Sequence, residues 1–264
     1  MIYLKKGDNL PIVAVTQLLL NRALRSEGGI VVDGTFGNKT KEFVQHFQRL
    51  RGLNPTGFID GQTWQRLNQR HGQIIDSVDA TEQIDIHGVY RDIEKEGDDI
   101  REEGGEPLVN YGMSRGARNA LNRIRNTAEL KNVLLLRLHG HGSPGVQVLS
   151  SGTRGGHYSD VRGLFFTKSF EIVKNVFAEL RPIFSPYGSV QLMGCSVGRG
   201  EKGYRLLHGL AEVWGVPISA GMNTQFGGGG ISTFVFEGPV RTIFPDGLNL
   251  RTWAARLPGA NVSF

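Results

Sequence analysis

Two short apolar runs constrain the fold of this chain more than any other feature. Residues 133–138 are apolar except for Arg137, and residues 189–193 form a second such run. A short, nearly continuous apolar run is typical of a parallel strand that is covered on both faces. Helical periodicity is found at residues 114–127, 167–180 and 203–213, with further strand signals at 216–220 and 231–236. The alternation predicts an α/β domain over residues 111–264, with a mostly parallel sheet flanked by helices.

The first 70 residues predict a separate, small all-α domain. Asn9 can cap a first helix that has Pro11 just inside its start. A second helix is expected from about residue 38, and Asp60 can cap a short third helix. Two Asp-Gly turns, Asp33-Gly34 and Asp60-Gly61, precede the later helices and form a short internal repeat. Turn and cap roles explain both turns on physical grounds alone.

Charge is spread unevenly along the chain. The net charge is +5, and residues 92–106 hold eight acidic and two basic side chains, a balance of −6, which leaves +11 on the rest. The basic remainder favours anionic partners such as nucleic acid or cell-wall polymer. No nucleic acid partner is expected, because no nucleic-acid-binding motif is present. Residues 71–110 predict a linker and domain entry, with the acidic segment as a solvated face.

Cysteine count and hydropathy exclude several classes. The single cysteine, Cys195, excludes an internal disulfide and a multi-cysteine zinc site. No apolar run approaches the ~20 residues that a membrane-spanning helix needs, so no transmembrane segment is expected. The first residues have neither an apolar core nor a small-residue cleavage site, so no Sec signal peptide is expected.

Reactive side chains follow both apolar runs. His139 and His141 come after the first run, and Cys195 comes after the second, among glycines. Since the carboxyl ends of parallel strands meet at one edge of a sheet, His141 and Cys195 are expected within reach of each other. A thiol needs a nearby base to become a nucleophile, and histidine has a suitable pKa. Flanking glycines would let backbone N–H groups approach a developing oxyanion.

Other interpretations of these residues stay open. Cys195 can be a small buried hydrophobe, and the histidines can line or cap a turn. His139 and His141 would face the same side of an extended backbone, and could bind zinc together with Cys195, His157 or Asp160. Without a clear third ligand we expect no metal and no cofactor.

The N-terminal region resembles the peptidoglycan-binding domain of the three-helix type. The resemblance spans roughly residues 3–68 and rests on Val15-Thr16-Gln17-Leu18, Asp33-Gly34-Thr35-Phe36-Gly37, Phe47-Gln48 and Gly57-Phe58-Ile59-Asp60. Its landmarks are Asp33, Phe36, Thr40, Phe47, Asp60 and Trp64. The resemblance implies a module that targets a hydrolase to the cell wall. Asn9-Leu10-Pro11 departs from the usual helix entry of the family.

Residues 130–225 are similar to the caspase, gingipain and clostripain superfamily. The similarity rests on His141-Gly142-Ser143-Pro144-Gly145 and on Gly194-Cys195-Ser196-Val197-Gly198-Arg199-Gly200. It implies that His141 is the general base or acid, that Cys195 is the nucleophile, and that the N–H groups of Gly142 and Cys195 form the oxyanion hole. His139 stands where relatives carry a small or polar residue, so His141 is the favoured base.

Together these features predict a peptidoglycan-targeted cysteine hydrolase that cleaves a wall-associated protein or the stem peptide. The loop at residues 221–226 should border the cleft, with Asn223, Thr224 and Gln225 binding substrate. The alternatives are a non-catalytic wall-binding protein with a caspase-like recognition domain, and a zinc-dependent wall amidase. The protein is expected at the cell wall or in the periplasm of a bacterium, reached through a secretion machine or by lysis.

Overall fold

The computed structural model describes residues 2–25, 28–69, 71–79, 83–84, 90–91, 94–110, 116–149, 163–165, 174–175, 177–225 and 233–260. The chain forms two units, one made of residues 1–72 and 246–264 and the other of residues 73–245. Within the described ranges, every helix is too short or too polar to cross a membrane.

Helices and strands alternate along most of the chain. The helices are α1 (Pro11–Leu24), α2 (Asn38–Leu50), α3 (Gly61–Leu67), α4 (Glu94–Glu102), α5 (Gly116–Thr127), α6 (Gly200–Trp214) and α7 (Leu250–Ala254). The strands are β1 (Gln73–Asp79), β2 (Gln83–Ile84), β3 (Tyr90–Arg91), β4 (Leu108–Asn110), β5 (Val133–His139), β6 (Gly142–Ser143), β7 (Val146–Val148), β8 (Gly163–Phe165), β9 (Phe184–Leu192), β10 (Ile218–Gly221) and β11 (Val240–Ile243). Short 3-10 turns occur at Arg181–Ile183 and Pro245–Gly247.

Two buried glutamines organise the helical unit. Gln17 Nε2 donates to Thr35 O at 3.0 Å and to Thr40 Oγ1 at 3.2 Å, while its Oε1 accepts from Gly34 N at 2.9 Å. Gln48 repeats this arrangement in the second half of the unit. Its Nε2 donates to Phe58 O and to Thr63 Oγ1, both at 3.0 Å, and its Oε1 accepts from Gly57 N at 2.9 Å.

The internal repeat is therefore present, but the residues that correspond to each other differ from the expected ones. Gly34 corresponds to Gly57, not to Gly61, and both have positive φ angles of 78° and 79°. Glycine adopts this backbone conformation without a steric penalty. Asp60 caps α3 as predicted, since its side chain accepts from Thr63 N at 2.7 Å.

The predicted cap of the first helix is wrong by one residue. Leu10 occupies the N-cap position of α1, and Asn9 Nδ2 instead donates to Gly7 O at 2.9 Å. The reason is that Asn9 is engaged in an antiparallel bridge with Thr35, so its backbone is committed before the helix begins. Pro11 is the first helical residue, as expected.

A segment far along the chain completes the helical unit. Helix α7 packs against α1, and Arg22 donates to Pro258 O at 2.9 Å. Leu250 covers Gly34 so closely that a Cβ atom added to Gly34 would lie 2.5 Å from Leu250 Cδ1. The predicted domain, residues 1–70, thus lacks part of the unit found in the structure.

The α/β unit is built on a six-stranded sheet in the order β11-β10-β9-β5-β1-β4. All neighbouring strands are parallel except β11, which runs antiparallel to β10. Its main hydrophobic core contains Leu136 and Leu138 from β5, Val190 and Leu192 from β9, and Leu206, Leu207 and Leu210 from α6. The structure confirms a helical N-terminal domain and a C-terminal α/β domain with a mostly parallel sheet.

The interval predicted to be linker and domain entry differs from expectation. Residues 71–110 contain β1 and β4, which are two strands of the main sheet. Polar residues in β1 hide it from a search for apolar runs, although Asp76, Ser77 and Asp79 are buried. The acidic segment includes α4, in which Ile100 is fully buried, so this helix is not a wholly solvated face.

Some predicted elements can be compared only in part. The start of the helix predicted at residues 114–127 and most of the one predicted at 167–180 lie outside the described residues, as do 226–232. Residues 233–236 are not a strand, and the chain instead forms β11 at Val240–Ile243.

Candidate active site

The two loops that carry His141 and Cys195 leave neighbouring strands at the same edge of the sheet. Strands β5 and β9 are parallel, with Leu138 opposite Leu192 in the register. Gly140, directly after β5, has a φ angle of 153°, which turns the chain away from the strand direction. His141 and Cys195 therefore each lie within three residues of a strand end, on adjacent loops.

The backbones of these two loops are packed directly together. A Cβ atom added to Gly194 would lie 2.9 Å from Gly142 Cα and 3.0 Å from Gly140 O. One added to Gly142 would lie 2.8 Å from Cys195 N. Since real Cβ atoms do not approach this closely, glycine is required on both loops for this contact. The residues on either side of His141 thus touch the residue before Cys195.

Gln147 fixes the two loops relative to each other. This fully buried residue of β7 accepts a hydrogen bond from Gly194 N at 2.9 Å through Oε1. Its Nε2 donates to Val148 O at 3.0 Å, and Val148 N in turn donates to His141 O at 2.9 Å. A single amide side chain therefore connects the His141 loop to the Cys195 loop. Sequence reasoning missed Gln147, whose only signal is a polar residue between two valines.

Cys195 is half-buried at the start of a constrained turn. Its Sγ donates to Gln225 O at 3.2 Å. The next residue, Ser196, has a φ angle of 55°, which is unusual for a residue other than glycine. Ser196 N donates to Asn223 O at 2.8 Å, which holds the turn against the following loop. Backbone strain of this kind is concentrated at functional sites, because it persists only where the surroundings enforce it.

The loop predicted to select substrate lies beside Cys195. Asn223 and Thr224 are exposed, and Gln225 is half-buried. The side chain of Gln225 binds the backbone of Glu237, accepting from its N at 2.8 Å and donating to its O at 3.1 Å. Gln225 therefore supports the loop through its amide and faces Cys195 with its main-chain carbonyl. Asn223 and Thr224 are the members of the predicted set that present side chains to solvent.

The two histidines have different surroundings. His139 is fully buried, and its Nε2 lies 3.1 Å from Asp76 Oδ1. Asp76 also pairs with buried Arg137, which donates to it from Nε at 2.6 Å and from Nη2 at 3.0 Å. His141, by contrast, is half-buried on the loop that contacts Gly194. Arg137, the charged residue within the apolar run, was the sequence signal for this buried cluster.

Electrostatics keep the carboxyl group of the cluster ionised. Burial alone would raise the pKa of Asp76, but the Arg137 guanidinium and the hydrogen bond from His139 together hold that pKa well below its usual range. The guanidinium also lies 4.7 Å from the centre of the Phe234 ring, within cation–π distance. A buried charge needs such partners, because desolvation without them is costly.

The far side of the Cys195 loop is closed by α6 and β11. A Cβ atom on Gly203 would lie 2.3 Å from Gly198 C, so the helix presses against the loop. Arg241 donates to Gly198 O at 2.9 Å and to Gly200 O at 2.6 Å. An open cavity of about 470 Å³ adjoins this contact and is lined by Gly200, Glu201, Tyr204 and Arg241. The sheet edge also includes Asp79, whose Cβ would lie 3.2 Å from a Cβ added to Gly140.

The residues weighed as zinc ligands are only partly described. His157 and Asp160 lie outside the described residues. Among the residues that are described, no three His, Cys, Asp or Glu side chains are grouped so as to hold a metal ion. His139 binds Asp76 at the end of β5, whereas His141 follows Gly140 on the next loop, so the two histidines have different surroundings.

The landmarks of the helical unit have structural roles. Phe36, Phe47 and Trp64 are buried in its core. Asp33 accepts from Thr35 N at 2.8 Å, Thr40 binds Gln17, and Asp60 caps α3. These residues therefore stabilise the fold of the unit. The resemblance that rests on them indicates the fold and does not locate a surface that contacts a ligand.

Comparison with known proteins addresses the helical unit alone. Residues 10–67 match the family model described as "Putative peptidoglycan binding domain". No curated protein and no solved structure matches the chain. The N-terminal part is thus supported as a peptidoglycan-binding domain, which associates the protein with the cell wall.

Proposed function

We propose that this protein is a peptidoglycan-targeted cysteine hydrolase in which His141 and Cys195 form the catalytic dyad. The observation that carries the proposal is the backbone contact between Gly140-His141-Gly142 and Gly194-Cys195. Through this contact the loop that carries His141 adjoins the loop that carries the single cysteine, at the carboxyl edge of the sheet, where α/β proteins place reactive groups. The resemblance to the caspase superfamily adds support through the same two loops.

The proposed chemistry is acyl transfer to water. His141 takes the proton from Cys195 Sγ, and the sulfur attacks the carbonyl carbon of the scissile amide. The N–H groups of Gly142 and Cys195 stabilise the oxyanion that forms. His141 then gives the proton to the leaving amine, which produces a thioester. Water, deprotonated by His141, attacks this thioester, and the acid product leaves as Sγ regains a proton.

The substrate class follows from the wall-binding unit. A module that binds peptidoglycan raises the local concentration of the hydrolase at the wall. The amide substrates present there are the stem peptide and wall-associated proteins. Asn223 and Thr224 are uncharged and exposed beside Cys195, so we expect a small or polar residue before the cleaved bond.

Activity and alkylation test this proposal together. The full chain is incubated with purified peptidoglycan and with a diverse peptide library, before and after treatment with iodoacetamide, which labels the single cysteine. We expect cleavage that alkylation abolishes and chelators leave intact. His141→Ala and Cys195→Ala should each abolish turnover, and the double variant should be no worse than either.

His208→Ala is the matched control, because His208 is an exposed histidine on α6. It should retain full turnover. Cleavage that survives alkylation but not chelation would favour the zinc amidase instead. Absence of cleavage in both substrate sets, with wall binding intact, would favour the non-catalytic wall-binding protein.

A further inference from the structure

The helical unit presents a pair of aromatic rings outside its core. Leu4 and Ile59 pair in an antiparallel bridge, with Leu4 N donating to Ile59 O at 2.9 Å and Ile59 N donating to Leu4 O at 2.8 Å. Both of these side chains are buried. Since neighbouring residues alternate in direction along extended backbone, Tyr3 and Phe58 point to the opposite side. Their ring centres lie 5.3 Å apart, and both residues are half-buried.

Hydrogen bonds hold the backbone that carries the rings, and two carboxylates follow this backbone closely in the chain. The Phe58 carbonyl is fixed by the hydrogen bond from Gln48, and Asp8 accepts from Lys5 N at 2.8 Å. Asp60 directly follows Ile59 of the bridge, and Asp8 binds Lys5, which directly follows Leu4 of the bridge. Burial raises the pKa of Tyr3, and the charges of Asp8 and Asp60 raise it further. We call Tyr3 and Phe58, together with the flanking Asp8 and Asp60, the aromatic platform.

We propose that the aromatic platform is the surface through which this protein binds the glycan strand of peptidoglycan, with sugar rings packing on Tyr3 and Phe58. The inference rests on peptidoglycan binding by the helical unit, which the family match supports. The landmark residues of that match build the fold, so another surface must contact the polymer. Aromatic rings offer a large and rigid contact area that loses little conformational entropy on binding.

Charge selects the glycan over the stem peptide. Stem peptides carry free carboxylates, which would be repelled by Asp8 and Asp60 beside the rings. Sugar rings of the glycan strand are uncharged, and their hydroxyl and amide groups can donate hydrogen bonds to carboxylates. The C–H faces of a pyranose can rest on the π faces of the platform, where each weak contact adds to the buried apolar area.

The experiment uses the full chain in a Cys195→Ala background, so that the wall is not digested during the measurement. Co-sedimentation with insoluble peptidoglycan gives an apparent Kd. Replacing both rings, Tyr3→Ser with Phe58→Ser, should raise that Kd at least tenfold, because central aromatic side chains dominate binding surfaces. Leu50→Ser is the matched control, since Leu50 is a 63% exposed apolar residue of the same unit. Its Kd should stay within twofold of the parent.

Two competitors identify the part of the polymer that is bound. An oligomer of β-1,4-linked N-acetylglucosamine should release the protein from the wall, and a synthetic stem peptide should not.

Because the contact is with uncharged sugars, binding should persist at high salt, where charge attraction is screened. Phe58→Tyr, which keeps a ring at this position, should bind like the parent. Thermal unfolding of the double serine variant, measured beside the parent, separates loss of binding from loss of fold.

The possible failures are distinguishable. If the parent protein does not sediment with peptidoglycan, wall binding and the aromatic platform are both wrong. If the parent sediments and the double serine variant sediments equally well, the platform alone is wrong. Release by the stem peptide but not by the sugar oligomer would overturn the assignment to the glycan strand.

Discussion

At the scale of single residues, one glycine separates two histidines that have different surroundings. His139 ends β5 inside the protein and binds Asp76, whereas His141 follows the turn at Gly140 and lies on the loop that contacts Gly194. The alternation rule for extended backbone placed both side chains on one side. Gly140 lies between the two histidines and has a positive φ angle of 153°, so the strand geometry on which that expectation rests ends before His141.

The two histidines should respond oppositely to removal. His139→Ala opens a buried space and takes a hydrogen bond from Asp76, so the free energy of unfolding should fall by about 2–3 kcal/mol. Under the proposed function, the turnover of the folded His139→Ala variant should change little. His141→Ala should abolish turnover while the unfolding free energy stays within about 1 kcal/mol. Urea titration and peptide cleavage measure the two quantities separately, and an inactive but stable His139→Ala variant would reassign the base.

Asp76 makes the stability of the α/β unit depend on acid. The pKa of Asp76 is lowered in the folded state, so its contribution is complete above the ordinary aspartate pKa of about 4 and is lost as the pH falls below it. Asp76→Asn leaves Arg137 buried without its carboxylate partner and should cost about 3–5 kcal/mol at pH 7.

The cost of Asp76→Asn should be present at pH 7 and should shrink as the pH falls below the ordinary aspartate pKa of about 4. Urea unfolding across this range measures the difference between parent and variant. Asp98→Asn is the control, because the Asp98–Arg101 pair is exposed and contributes less than about 1 kcal/mol. A cost that grows as the pH falls would contradict the assigned direction of the pKa shift.

At the scale of elements, the helical unit is a repeat in which each half depends on one glutamine. Gln48→Ala would leave Gly57 N and Phe58 O without this partner in a buried setting, so we expect a loss of about 2–4 kcal/mol. Gln17→Ala should cost a similar amount, since it has the same role in the first half. Gln45→Ala, a change at a half-buried position of α2 whose amide donates to Pro55 O at 3.3 Å, should cost no more than about 1 kcal/mol. Thermal unfolding of the three variants compares them, and equal stability of Gln48→Ala and Gln45→Ala would contradict the repeat.

Contact between α6 and the Cys195 loop gives a second prediction at this scale. Gly203→Ala places a methyl group 2.3 Å from Gly198 C, against backbone that cannot rotate away. The loop should shift, and the rate of iodoacetamide labelling of Cys195 should change severalfold, with a stability cost of about 1–3 kcal/mol. Lys202→Ala, at the preceding exposed position, should leave the labelling rate unchanged. Identical labelling rates in both variants would show that the loop is not held by this helix.

An element could be predicted from the sequence where its own residues show the apolar pattern of a buried strand or of a helix. Strand β5 is apolar apart from Arg137 and His139, and the last residues of β9 include the buried Val190 and Leu192. His141 and Cys195 follow the ends of these two strands. Strand β1 could not be found this way, because buried polar residues interrupt its apolar pattern and Asp76 binds Arg137 and His139 of β5. The same holds for Gln147, whose importance arises from Gly194, a residue distant in sequence.

At the scale of the whole molecule, the helical unit is discontinuous in sequence. Residues 1–72 and 246–264 belong together, and the α/β unit is inserted between them. Trp253 and Leu257 are buried in the second segment. A unit of this size has a small hydrophobic core, so its stability should depend on both segments.

Removal of residues 246–264 should therefore destabilise α1. We expect faster amide hydrogen exchange in α1 and loss of sedimentation with peptidoglycan. Trp253→Ala should reproduce part of this effect, at a cost of about 3–5 kcal/mol, whereas Arg256→Ala, at an exposed position, should have none. Unchanged exchange in α1 after truncation would show that residues 1–72 fold without the second segment.

The same discontinuity sets an order of events during synthesis on the ribosome. About 180 residues separate the end of the first segment from α7, which at typical translation rates takes roughly 10–35 seconds. Throughout this interval the first segment lacks the helix that covers Gly34 and packs on α1. The nascent chain thus acquires a finished wall-binding unit only after the residues of the proposed catalytic dyad have been made. A product that terminates early would lack the complete wall-binding unit, and it would therefore not occupy binding sites on the wall.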